Sequence, residues 1–221
     1  FKVELISPAS DKQIQRSLPA PDMRLIEETP ELYKTVVRPY IQTNIDSGSL
    51  AWILNVINGT KERERLLLDH PDFILNIDTK WRSHPNPLTK PREVWHNHAS
   101  VQELYCLAIV KDGSIASLRD LKHHHIPMLK AIYELGKKTI EGVYGVPGNQ
   151  LRVFVHYQPQ FYHFHVHFTR LENEIGCQVE RGHLVSDILQ NLELPDFYAK
   201  RSITYKLKTS SELYKLLLAP N

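Results

Sequence analysis

Alternating apolar and polar residues, short turn signals and two helical recurrences predict an α+β fold, an antiparallel sheet flanked by helices. Within residues 161–170, Tyr162, Phe164, Val166 and Phe168 alternate with His163, His165 and His167, and a period of two marks a strand whose faces meet different surroundings. Residues 151–157 read as its hairpin partner through a Gln158-Pro159-Gln160 turn. Met128, Leu129, Ile132, Tyr133, Leu135 and Ile140 recur at helical spacing over about 126–143, with Pro127 tolerated in the first turn. Hairpin-linked strands with helices interspersed argue for an antiparallel arrangement.

Composition narrows the class. The 221 residues suffice to bury one sizeable core, and 27 Lys+Arg against 25 Asp+Glu leave a formal charge of +2, which gives no electrostatic reason to bind duplex nucleic acid. Two cysteines, Cys106 and Cys177, lack metal-ligand spacing and fit a reducing compartment, the cytosol or nucleus. No apolar run suits a membrane span and no leader pattern stands at the start. A start at Phe1 rather than Met reads as a processed or truncated chain.

Taken in order, Phe1 to Ile6 reads as a short strand and Pro8 to Leu18 as a short helix. Thr29-Pro30-Glu31 is a helix start: Thr offers a capping oxygen, Pro suits the first helical position, and Glu31 sits near the positive end of the dipole. Leu32, Val36 and Val37 supply its apolar stripe, and Pro39 ends or kinks it. Leu50 to Ile57 and Lys61 to Leu68 read as a hairpin about Asn58-Gly59, a pair that accepts the positive φ angles of a tight turn. His70-Pro71-Asp72 interrupts it, and Phe73 to Ile77 resumes as a strand leading into Asp78-Thr79-Lys80-Trp81. Residues 82–100 hold Pro85, Pro87 and Pro91 and show no period, so they read as a long surface loop that leaves Trp95 unexplained. Glu103 to Val110 is a strand, and Ser117 with Asp120 resembles a capping box. After the central hairpin come a helix near 182–192, a strand from Ser202 to Lys208 and a final helix from about 211.

The histidines carry the chemistry. A hairpin symmetric about its turn sets His156 opposite His163, on the same face as the other imidazoles, and a one-residue slip would separate them. Imidazole serves near neutral pH as base, acid or nucleophile. His165, flanked on both sides, suits covalent attack, with its neighbours stabilising negative charge. Two other readings stand beside this one: a His-x-His metal site, for which no carboxylate or Cys lies at a fixed short spacing, and a histidine-rich strand without catalytic purpose. The run His123-His124-His125 has no strand period and reads as a solvated helix entrance.

The run His163-Phe164-His165-Val166-His167-Phe168 is similar to the signature of the histidine-triad superfamily. With His156-Tyr157-Gln158-Pro159-Gln160-Phe161-Tyr162, Ser117-Leu118-Arg119-Asp120-Leu121 and Asp78-Thr79-Lys80-Trp81, it resembles the scavenger mRNA decapping (DcpS) branch over nearly the whole chain. The resemblance implies a histidine-triad antiparallel sheet and a pyrophosphatase that uses neither metal nor cofactor. Its implied substrates are 7-methylguanosine cap dinucleotides and short capped RNA. It implies His165 as nucleophile, with His163, His167 and His156 around the phosphates. Trp52 would stack on the methylated base, whose positive charge suits a cation–π contact, and Glu62 would read the guanine edge. Asp78 and Lys80 would lie across the site, with Lys80, Tyr105 and Arg181 near phosphate. It also implies a homodimer in cytoplasm and nucleus. Residues 1–20 would be a remnant of an N-terminal domain exchanged between protomers, with Arg16 facing phosphate, and 21–221 the C-terminal catalytic domain.

Taken singly, several of these residues have plainer readings. Trp52 in an apolar run reads as core, Glu62 as one charge of the solvated run Lys61 to Arg65, and Lys80 beside Asp78 as a surface pair. The chain also departs from the family pattern. Thr79 stands for an apolar residue, Ile77 for proline, and Gln160-Phe161 for a small residue and tyrosine, which removes hydroxyls from the phosphate pocket. The loop at 82–100 is longer than the family's.

Overall fold

The computed structural model describes residues 7–8 and 21–218. The strand expected at Phe1 to Ile6, nearly all of the helix expected from Pro8, and Arg16 lie outside the described residues. So does almost all of the segment 1–20.

The α+β expectation holds. A six-stranded antiparallel sheet has the order β2-β3-β4-β6-β5-β7, with β2 Leu66–Asp69, β3 Phe73–Ile77, β4 Tyr105–Val110, β5 Leu151–His156, β6 His165–Arg170 and β7 Gly182–Leu184. A separate two-stranded sheet pairs β1 (Met23–Glu28) with β8 (Ile203–Lys208). The sequence reading contains neither β1 nor β7; the latter forms the first turn of what reads as a helix near 182–192, which starts only at Val185.

Helix α4, Ile126–Tyr144, covers one face of the large sheet. Its Leu129, Ile132 and Ile140 join Phe73, Leu75, Cys106, Ala108, Val166 and Phe168 in the main core. Met128, Tyr133 and Leu135 of the expected stripe are only partly buried against it. Gly136 allows the close approach, because a Cβ there would lie 2.4 Å from Cζ of Phe168.

The opposite face carries the site. Cross-strand partners share a face, and the register pairs Asn76 with Leu107, Leu107 with His167, Ile109 with His165 and Phe154 with His167. Helix α3, Ala51–Ile57, lies on this face through Ile53 and Val56, which pack with Ile74, Leu107 and Ile109.

That helix overturns the expected hairpin of Leu50–Ile57 with Lys61–Leu68. A seven-residue run with six apolar residues cannot be assigned to helix or strand by period, and here the spacing of Ile53 and Val56 decides for helix. Asn58-Gly59 closes the helix instead of a strand turn: Asn58 N–H donates to Leu54 O, and Gly59 takes φ +69°, which an αL helix end also requires. The actual hairpin turns through His70-Pro71-Asp72, joining β2 to β3.

Thr29 caps α1 (Pro30–Leu32), its Oγ1 accepting from Leu32 N–H. Pro39 does not end the helix. A π-helical turn at Tyr33–Val37 precedes it, and α2 continues over Arg38–Asp46; the wider turn accommodates a ring that lacks an N–H. Trp95 is accounted for as well: it is buried and stacked on Tyr144, with ring centroids 6.1 Å apart. The Ser117–Asp120 capping box is present, and the chain ends in α5 (Val185–Asn191), α6 (Phe197–Lys200), β8 and α7 (Glu212–Leu218). No described helix is long and apolar enough to cross a membrane.

Candidate active site

The central hairpin has shorter strands and a longer connecting loop than its sequence reading. β5 ends at His156 and β6 begins only at His165, with Phe154 opposite His167. His156 is therefore not opposite His163. The register differs from the symmetric one by two residues, which preserves the face, so His156 still meets the cluster. The cause lies in residues 157–164, which leave β5 for other partners: Phe164 N–H donates to Ile115 O, and Val110 N–H to Phe164 O.

The histidines take distinct positions. Nδ1 of His165 lies 2.7 Å from the carbonyl oxygen of His163. A carbonyl only accepts, so Nδ1 carries the proton and Nε2 keeps its lone pair. The ring of His163 turns away, its Nε2 donating to Val110 O at 2.6 Å. His156 lies 4.2 Å from His167 between ring centroids, and its Nε2 donates to Gly176 O at 2.7 Å. The Tyr105 hydroxyl lies 3.1 Å from Nδ1 of His167, while Nε2 of His167 is buried with no hydrogen-bond partner among the described residues.

Burial keeps these rings neutral. It pushes His165 down to about 3, against the bond to the His163 carbonyl, which raises it. Burial, and then the Arg181 charge, lowers His156 to about 4. His167 is held well below the ordinary range by burial and by its neighbours His165 and His156. A buried, uncharged imidazole with one nitrogen anchored is equipped as a nucleophile.

A cleft of about 200 Å³ opens beside the histidines, lined by Trp52, Glu62, Asn76, Asp78, Thr79, Lys80, Gln160 and Phe161 among others. Four of the expected binding residues, Trp52, Glu62, Asp78 and Lys80, are thus brought together. Trp52 projects from α3 and is 45% exposed. Glu62 takes a left-handed backbone, φ 55°, with its carboxylate 4.0 Å from Arg65 Nε. Asp78 accepts from the Lys80 backbone N–H at 2.7 Å, so the two are not the side-chain ion pair their spacing suggests. The Lys80 ammonium lies over the Tyr105 ring instead, 5.0 Å from its centroid. Arg181 lies on the histidine side, its Nε donating to Gln158 O at 3.3 Å.

Phe161 links cleft and cluster. Its ring stacks on His165 at 4.1 Å and 20° and meets the Trp52 ring at 5.2 Å and 80°. The sequence reading treats Phe161 as lost hydroxyls; its stacking role depends on the loop path after Tyr157, which has no periodic signal. Nor does spacing reveal Asn76 in the cleft or the Gly176 carbonyl at His156. Among the described residues, no group of three or more His, Cys, Asp or Glu side chains is arranged to hold a metal ion.

Comparison with known proteins agrees with the motifs. Residues 51–183 match the family described as "Scavenger mRNA decapping enzyme C-term binding". The chain is 36% identical over 223 residues to the m7GpppX diphosphatase of Rattus norvegicus, covering 98% of this chain and 61% of that protein. The Homo sapiens m7GpppX diphosphatase is likewise 36% identical over 98% of this chain and 60% of its own length. The one from Schizosaccharomyces pombe is 32% identical over 100% of this chain and 69% of its own. The chain thus spans about three fifths of the mammalian relatives it matches. It belongs to the scavenger mRNA decapping enzyme family and corresponds to the C-terminal part of those proteins.

Proposed function

We propose that the chain hydrolyses the 5′–5′ triphosphate of 7-methylguanosine cap dinucleotides and short capped RNA fragments left by mRNA decay. The observation that carries this reading is the anchoring of His165 Nδ1 on the His163 carbonyl, beside a cleft that offers an exposed indole and a carboxylate. In this reading the methylated purine stacks on Trp52, where its positive charge favours the aromatic face. Glu62 accepts from the N–H groups of the guanine edge.

The triphosphate then runs toward the histidines. Nε2 of His165 attacks the phosphorus nearest the methylguanosine, forming a P–N bond while the P–O bond to the departing diphosphate breaks. Water cleaves the nucleotidyl-histidine, regenerating neutral His165 and releasing 7-methylguanosine monophosphate. In this reading Nδ1 of His167, 3.1 Å from the Tyr105 hydroxyl, accepts from it, and Nε2–H of His167 donates to a phosphate oxygen; Lys80 and Arg181 add positive charge.

Product analysis with methylated and unmethylated cap dinucleotide in EDTA tests the reading. Release of 7-methylguanosine monophosphate from the methylated substrate alone is the expected result. Equal cleavage of both would indicate a dinucleoside polyphosphate hydrolase indifferent to the cap.

A further inference from the structure

In the strand Phe73–Ile77 all five residues are buried and four are apolar; the exception is Asn76, only 5% exposed. Asn is disfavoured in such strands, and a buried amide oxygen without a partner destabilises the fold where an apolar side chain would not. Oδ1 of Asn76 is nevertheless buried with no hydrogen-bond partner among the described residues. The side chain lines the same cleft as Trp52 and Glu62. The register puts Asn76, Leu107 and His167 in one row across three strands, about 10 Å from Asn76 to His167 across the sheet. A native polar group buried without a partner calls for a cause, and the packing of β3 supplies none.

We propose that Asn76 is a specificity-determining residue: its side-chain amide hydrogen-bonds a polar edge group of the nucleoside seated in the cleft, on the purine or on the ribose. This rests on the nucleotide-binding reading above. The amide carries an acceptor and a donor on one carbon, and a half-turn about χ2 exchanges them, so it can accept from an exocyclic amine or a ribose hydroxyl. Binding then gives this amide a partner in the cleft, where the free protein leaves its oxygen without one.

The test is a fluorescence titration of the wild-type chain, Asn76→Leu and Asn76→Ala with 7-methylguanosine monophosphate, its inosine counterpart lacking the exocyclic amine, and its 2′-deoxy counterpart. Asn76→Leu keeps the volume, and Asn76→Ala removes any steric block. Both variants are expected to bind 7-methylguanosine monophosphate about tenfold more weakly, with Asn76→Leu unfolding at a temperature no lower than wild type. Removing the bonded group should weaken wild type about tenfold more than it weakens the variants, a loss common to all three with the inosine counterpart being that of Glu62, and this difference separates amine from hydroxyl. Unchanged affinity in both variants while wild type binds would overturn the role of Asn76 and leave the cap reading intact. Failure of the wild-type chain to bind any of the three nucleotides would overturn the cap reading, and this inference with it.

Discussion

The Nδ1 atom of His165 sits 2.7 Å from the carbonyl oxygen of His163, two residues back along the chain. This contact assigns the tautomer, orients the ring, and lets one short segment supply both nucleophile and anchor. His165→Ala should lower turnover of cap dinucleotide by about 10³-fold or more while changing nucleotide affinity little, because the lost interaction belongs to the transition state. Steady-state rates beside an equilibrium titration check both halves.

Stability should depend on pH through the same ring. Burial lowers His165 from 6.5 to about 3 and His156 from 6.5 to about 4, so below 6.5 the unfolded chain takes up protons that the folded chain refuses. Their contribution to stability is complete above about pH 6.5 and is lost as pH falls toward 3–4, at most about 1.4 kcal/mol per pH unit for each ring. Thermal unfolding between pH 7 and 5 should therefore show a falling midpoint, and His165→Asn should flatten that slope. An unchanged slope would show that His165 does not carry the dependence.

Trp52 is exposed in the cleft and packs edge-on against Phe161. Trp52→Ala should weaken binding of 7-methylguanosine monophosphate by about 10- to 100-fold, and of guanosine monophosphate far less, because the cation–π part requires the methyl-derived charge. Isothermal titration of both ligands measures the difference.

Glu28 is fully buried against Arg119, with Nη2 to Oε1 at 2.8 Å, and it also accepts from Tyr157 Oη, Tyr205 Oη and Gln158 Nε2. The network ties β1 and β8 to the loop that leaves His156. Glu28→Ala would strand a buried guanidinium and should destabilise the fold by about 3–5 kcal/mol. Arg119→Met in the same chain should recover part of that loss in denaturant unfolding.

Gly136→Ala should destabilise, although alanine favours helices by about 1 kcal/mol. The added Cβ would meet the ring of Phe168, which is fully buried and cannot withdraw, so overpacking of about 1–3 kcal/mol dominates. Gly142→Ala in the same helix, with open space around it, serves as the stabilised control.

The extent to which this fold is legible in the sequence follows from where its information lies. The histidine strand and α4 are plain because their periods are strict or long, and β3 and β4 because they are β-rich apolar runs ending at turn signals. Residues 51–57 are misread because a short apolar run suits helix and strand alike, and Asn-Gly serves a helix end as well as a hairpin. β1 and β7 are missed because each is defined by a distant partner, β8 and β5 respectively. Within the site, the histidine alternation is local, whereas the stacking of Phe161 on His165 and the contact of Tyr105 with His167 depend on the tertiary path.

The central claim is that His165 forms a covalent bond to the substrate. The most direct measurement is intact-mass and peptide analysis of the chain quenched at alkaline pH during turnover of methylated cap dinucleotide. The expected result is a 7-methylguanylyl adduct on the peptide containing His165, absent from His165→Ala. Turnover without an adduct, or an adduct on another residue, would contradict the account.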